Sequence, residues 1–185
     1  MKKKINSKKV ACFLTALMML VGFLIGGGRS LGSLRSTSEA EFYGIGGLIS
    51  IEEEIHDYQR FTANLITVAL RQYDVNQPQI MSVHSANNFV TAALDERRLD
   101  AGKVYAAYYE LRRAVGDLEQ LLNRSDIPNN AFSDIIDELG RRNVRLMNQR
   151  TVFNNSAMSF NTTLNKIPAV FFRITGIVRP IILFD

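Results

Sequence analysis

A glutamate and a histidine three residues apart on a helix share one face, and that pair is half of a di-iron site. Glu53 and His56 have this spacing, but no second Glu-x-x-His occurs in the chain. His84, the other histidine, falls on a different predicted element, so a two-histidine metal site is not expected. Cys12 is the single cysteine, which excludes an internal disulfide framework and a cysteine-rich zinc module. There is no G-x-x-x-x-G-K-[ST] phosphate loop, and no G-x-G-x-x-G follows a strand. Nucleophilic and general-base chemistry needs a group that titrates near neutrality. Two histidines and one cysteine in an apolar segment offer little of that. The expectation is a non-enzyme with no cofactor and no bound metal. The acidic run Glu52, Glu53 and Glu54 reads as a solvated helix face.

Three polar residues interrupt otherwise apolar helical stripes: Arg97, Asn143 and Arg150. They are candidates for a ligand- or partner-binding cluster. The plainer reading is that their stems lie along a bundle while their heads reach solvent or a neighbouring helix.

Those stripes define the elements. One runs Leu48, Ile51, Ile55, Tyr58, Thr62, Leu65, Ala69 and ends near Asp74–Pro78. A second helix, starting at Pro78, carries Val90, Leu94, Arg97, Ala101, Val104, Tyr108, Leu111, Val115, Leu118 and Leu122. The third carries Phe132, Ile136, Leu139, Asn143, Leu146, Arg150, Phe153, Ala157, Phe160, Leu164 and Ile167, and Pro168 stops it. Steps alternating between three and four residues predict long, nearly parallel helices with coiled-coil-like packing. No strand pattern occurs. The predicted fold is all-α: an elongated antiparallel bundle of three long helices with a short C-terminal segment, spanning 40–185.

Charge is distributed unevenly. The chain carries 22 basic and 18 acidic residues, a net +4. Lys2, Lys3, Lys4, Lys8, Lys9 and Arg29 hold six of the basic ones, and every acidic residue follows residue 30. Residues 30–185 therefore hold 16 basic and 18 acidic groups, a net −2. The basicity is a terminal tag, so no nucleic-acid partner is expected.

Behind the basic end, residues 1–9, lies an uncharged apolar stretch over 10–28. As a helix it spans about 28 Å, close to the hydrocarbon thickness of a bilayer. The flanking lysines predict a single-pass cytoplasmic-membrane protein with its N-terminus in and its C-terminal domain outside. A retained signal anchor is the first reading. Cleavage and secretion is the alternative. Gly and Ser between 29 and 39 suggest a flexible tether. The tail, 169–185, holds ten large apolar residues. It must either fold back on the bundle, the favoured fate, or lie in the membrane interface.

The third helix also carries a string: Glu138–Leu139, Arg150, Phe153–Asn154, Phe160–Asn161 and Ile167–Pro168, with Phe184 near the end of the chain. This resembles the LemA family, whose last long helix reads roughly R-x-x-Y-N-x-x-V-x-x-Y-N-x-x-I-x-x-F-P and whose tail ends near an aromatic. Phe stands here for both tyrosines, and Ile167 for the residue before Pro168. Asn64–Leu65–Ile66 resembles the family's P-N-L-V, and Ile127–Pro128 its Y-P. The family's R-R-x-D-L and tryptophan are missing from the first helix. The resemblance covers about 40–185 and marks a divergent member. It implies a helical bundle on one N-terminal membrane helix and supplies no catalytic residue or cofactor. Read for themselves, Phe153, Phe160 and Ile167 share a face, and Asn154 and Asn161 beside them can bond across to a neighbour. The candidate structural or binding seam is thus Arg97, Asn143, Arg150, Phe153, Asn154, Phe160, Asn161 and Pro168. The expected role is a membrane-tethered scaffold or partner-binding module at the cell envelope, with the partner unidentified and self-association open. A ligand- or lipid-sensing module using the polar seam and apolar tail is the alternative.

Overall fold

Alternating three- and four-residue apolar spacing gives helices with one buried stripe, and such helices must pair. A computed structural model describes residues 7–44 and 50–185. Lys2, Lys3, Lys4, Gly46, Gly47 and Leu48 lie outside the described residues. The elements are α1 (Ser7–Tyr43), α2 (Ile51–Ala69), α3 (Pro78–Leu94), α4 (Ala101–Asn123), a 3₁₀ turn (Asn129–Ala131), α5 (Ser133–Leu164) and α6 (Val170–Ile174). No strand occurs among the described residues. The all-α antiparallel bundle predicted from the stripes is therefore present.

Its helix count differs from the prediction. The second predicted helix is two, α3 and α4, packed on each other as a hairpin. The break falls at Asp95–Asp100, where only Leu99 is apolar and Asp100 caps the new helix by accepting from the Lys103 N–H at 3.1 Å. The stripe beyond it holds, for Ala101, Val104, Tyr108, Leu111, Val115, Leu118 and Leu122 are all buried. Arg97 belongs to the loop and is exposed, so it interrupts no stripe. The other main pairings are α2 on α5 and α1 on α5.

The predicted tether is also a correction. Residues 29–39 are part of α1, a single 37-residue helix. Glycine in a helix costs about 1 kcal/mol against alanine, so local propensity disfavours this. Tertiary contact decides it. A Cβ on Gly27 would lie 2.6 Å from Phe172 Cζ, so the tail's ring seats where only glycine leaves room. Leu31, Ser38 and Phe42 are buried, and Arg35 pairs with Glu39 one turn on at 2.9 Å. The bundle thus begins near Leu31, not residue 40. Gly44, at φ +70°, ends α1 in the left-handed conformation that glycine adopts most readily. Ser50 caps α2: its hydroxyl accepts from the Glu53 N–H at 2.8 Å.

In α5 the buried stripe is Leu139, Leu146, Phe153, Ala157, Phe160 and Leu164. Ile167 is outside the helix and 83% exposed, so it does not share the face of Phe153 and Phe160. Pro168 is likewise exposed, in the turn that leads from α5 into α6.

Candidate functional site

The tail folds back along α5. Its buried residues are Phe172, Val178, Ile181 and Phe184, and its last segment runs extended and antiparallel to that helix. An extended chain without a neighbouring strand leaves its N–H and C=O groups to be paired some other way. Asn154 and Asn161 pair them. Asn161 Oδ1 accepts from the Ile181 N–H at 2.8 Å, and its Nδ2 donates to the Ile181 carbonyl at 2.8 Å. Asn154 does the same for Phe184, at 2.8 and 3.2 Å. The register follows from geometry. Seven residues of helix rise about 10.5 Å, and three residues of extended chain rise about 10 Å. Asparagines seven apart therefore meet residues three apart. A carboxamide presents one donor and one acceptor in a plane, as a neighbouring peptide would; a carboxylate offers no donor.

Phe184 ends this segment in an aromatic enclosure and is fully buried. Its ring centroid is 5.1 Å from Tyr105 and 6.1 Å from Phe42, both edge-on, and Phe42 meets Phe153 at 5.6 Å. Such edge-on pairs add to simple burial. Arg150 lies 4.7 Å over the Tyr105 ring and donates to its hydroxyl at 3.3 Å. Gly102 gives the tail its passage over α4, where a Cβ would stand 3.2 Å from Ile182 and 3.5 Å from the Leu183 carbonyl.

The structure thus gathers Arg150, Phe153, Asn154 and Asn161 around the tail, with Phe160 buried on the same stripe of α5. Asn143 is a layer away. It accepts a hydrogen bond from the Tyr108 hydroxyl at 2.9 Å, joining α5 to α4. Arg97 is not brought to this seam; with Arg35, Glu39, Arg98 and Arg179 it lines a shallow polar recess.

Tyr108 stacks edge-on against Tyr58 at 5.2 Å. Burial raises both phenols, Tyr58 to about 12 and Tyr108 further. The unfolded chain releases these protons near pH 10, before the folded chain does, so their contribution to stability is complete below pH 10 and is lost as the pH climbs. Between pH 10 and 12 Tyr58 alone should remove about 1.4 kcal/mol per pH unit. Denaturant midpoints of Tyr58→Phe should fall less steeply over that range than those of the parent chain. Parallel slopes would mean that this phenol is not buried in solution.

A second polar cluster was not legible in the sequence. Glu54, expected on a solvated face, has a side chain only 1% exposed. It meets Arg145 Nε at 3.0 Å and Arg142 at 3.4 Å. Arg142 also pairs with Asp57 and with Glu138, the latter at 2.9 Å, and Arg145 reaches Glu138 at 3.2 Å. Hydrogen bonds from Arg141, the larger cause, and from Arg142 hold the Glu138 carboxyl below its ordinary range. The available signal was the spacing Glu138, Arg142, Arg145 on one face of α5, with Glu54 and Asp57 at matching offsets on α2. The network crosslinks α2 and α5.

His56 and His84 are both exposed, on α2 and α3. Among the described residues no group of three or more His, Cys, Asp or Glu side chains is placed to hold a metal ion. Among the described residues one helix, α1, is long and apolar enough to cross a membrane, and none of its most apolar stretch is buried in the protein. Comparison with protein-family models, with curated proteins and with solved structures finds no match to this chain.

Proposed function

We propose that this chain is a divergent LemA-like membrane protein whose helical bundle serves as a non-enzymatic scaffold or partner-binding module at the cell envelope, with the N-terminus in the cytoplasm. The observation that carries this reading is the continuity of α1. Its apolar half is unburied, while its other half is an integral helix of the bundle. A helix shared in this way couples the bundle rigidly to whatever holds the apolar half, which suits a module that presents a surface at fixed height above a bilayer. The ligand-sensing alternative has less support, because the seam that would receive a ligand is filled by the chain's own tail.

The α3–α4 hairpin offers exposed aromatics, Phe89 and Tyr109, for such a partner. Photocrosslinking residues at these two positions, in the full chain in intact membranes, should yield discrete protein adducts. A ladder of this chain alone would identify a homo-oligomer. Absence of any protein adduct, with a small molecule co-purifying instead, would overturn the scaffold reading.

A further inference from the structure

Helix α6 has two opposite faces with different fates. Phe172 points inward, against Gly27 and, at 5.3 Å between ring centroids, against Phe23 of α1. The other side of this turn, with the residues flanking it, is largely exposed. Ile167, Phe171, Ile174 and Ile177 are 83%, 56%, 76% and 56% exposed. Four large apolar side chains within eleven residues form the kind of contiguous patch that soluble surfaces avoid.

The position of the patch says what covers it. The uncharged stretch 10–28 of α1 spans about 28 Å as a helix, so Gly27 and Gly28 stand at the edge of the hydrocarbon layer. Phe172 seats on Gly27, and Ile177 lies against Gly28 at 3.7 Å from its Cβ position. The patch is therefore level with the last turns of the spanning segment and continuous with it. Its charged neighbours are cationic. Lys166, in the turn before α6, and Arg173, within α6, are both exposed. Arg35 and Arg179 lie about 10 Å further along α1, by helical rise, at the level of headgroups. Arg35 donates to the Arg179 carbonyl at 3.3 Å, so the two are held together. Of the acidic groups near this end, Glu39 is paired with Arg35 and Glu96 with Lys103.

We propose that residues 166–177 form a second membrane contact, an interfacial wedge that inserts Ile167, Phe171, Ile174 and Ile177 beside α1 while Lys166 and Arg173 face lipid phosphates. The tail thus both folds back and touches the bilayer: its extended end locks into the bundle, and its helical turn dips into the leaflet. An amphipathic turn anchored beside a spanning helix holds the bundle at two points and sets its tilt. The inference rests on α1 crossing a bilayer, and the experiment separates the two claims.

The chain has no tryptophan, so one introduced residue reports its own depth. Ile174→Trp, Phe171→Trp, Leu17→Trp and Val75→Trp would each be made in the full chain and reconstituted into phosphatidylcholine–phosphatidylglycerol vesicles with bromine at graded acyl positions. All four sites are exposed, so none should disturb folding. Val75 sits in the loop at the far end of the bundle. The tryptophans at 174 and 171 should be blue-shifted and quenched most by bromine near the headgroups, severalfold more strongly than that at 75. The one at 17 should be quenched most by bromine near the bilayer centre. Quenching at 17 with none at 174 and 171 would overturn the wedge and leave the span intact. No quenching at 17 would overturn the span, and the wedge with it.

Discussion

Phe184→Ala should lower the stability of the bundle by roughly 3–5 kcal/mol, the range for removing a buried phenylalanine ring. The ring is fully buried and bridges Tyr105 of α4 and Phe42 of α1. Asn154→Ala removes both partners of the Phe184 backbone and should cost about 1–3 kcal/mol for the groups left unpaired. The combination is the sharper measurement. Once the tail has detached, its remaining contacts no longer count, so the double variant should lose clearly less than the sum of the singles. Denaturant midpoints of the full chain in detergent, read by circular dichroism, supply all three values. Additive losses, or a loss at Phe184 below about 1 kcal/mol, would mean that the tail is not docked as one unit. The buried Phe160 provides a reference for an α5 side chain that contacts no tail backbone through hydrogen bonds.

Arg142→Met should cost roughly 3 kcal/mol, since it strands carboxylates that have lost their hydration. Glu54 is almost completely buried, and Asp57 and Glu138 are about one-fifth exposed. Arg145 remains within 3.0 Å of Glu54 but is more exposed, so it offsets only part of the loss. Adding Glu54→Gln and Asp57→Asn removes two of the three stranded charges, Glu138 keeping Arg141 and Arg145, and should restore more than half of the stability. The contrast tests charge stranding and not merely lost packing, because the added substitutions fill no space. A triple variant no more stable than Arg142→Met would defeat the explanation.

The all-α class, the buried stripes of α2, α4 and α5, and the apolar N-terminal segment were all legible in the sequence. Each rests on local periodicity or composition, and periodicity survives any tertiary arrangement that buries one face. Asn154 and Asn161 were legible as a bonding pair beside a seam. Their true partner was not, because the match is between a helix and an extended segment twenty and thirty residues away. Three features ran against local signals. The Gly- and Ser-rich stretch of α1 reads as a tether, yet Phe172 needs the missing Cβ at Gly27 and makes the helix worth forming there. The second apolar stripe reads as one helix, yet it folds at Asp95–Asp100, where its two halves can bury their faces on each other. Glu54 reads as solvated within an acidic run, yet it turns inward because Arg142 and Arg145, on another helix, compensate its charge. Repeating one-dimensional patterns thus determined which elements form and which face each one buries. Pairwise contacts between distant residues decided where the helices begin and end, where the tail lies, and which polar groups are buried, because desolvation and close approach depend on partners that no local window contains.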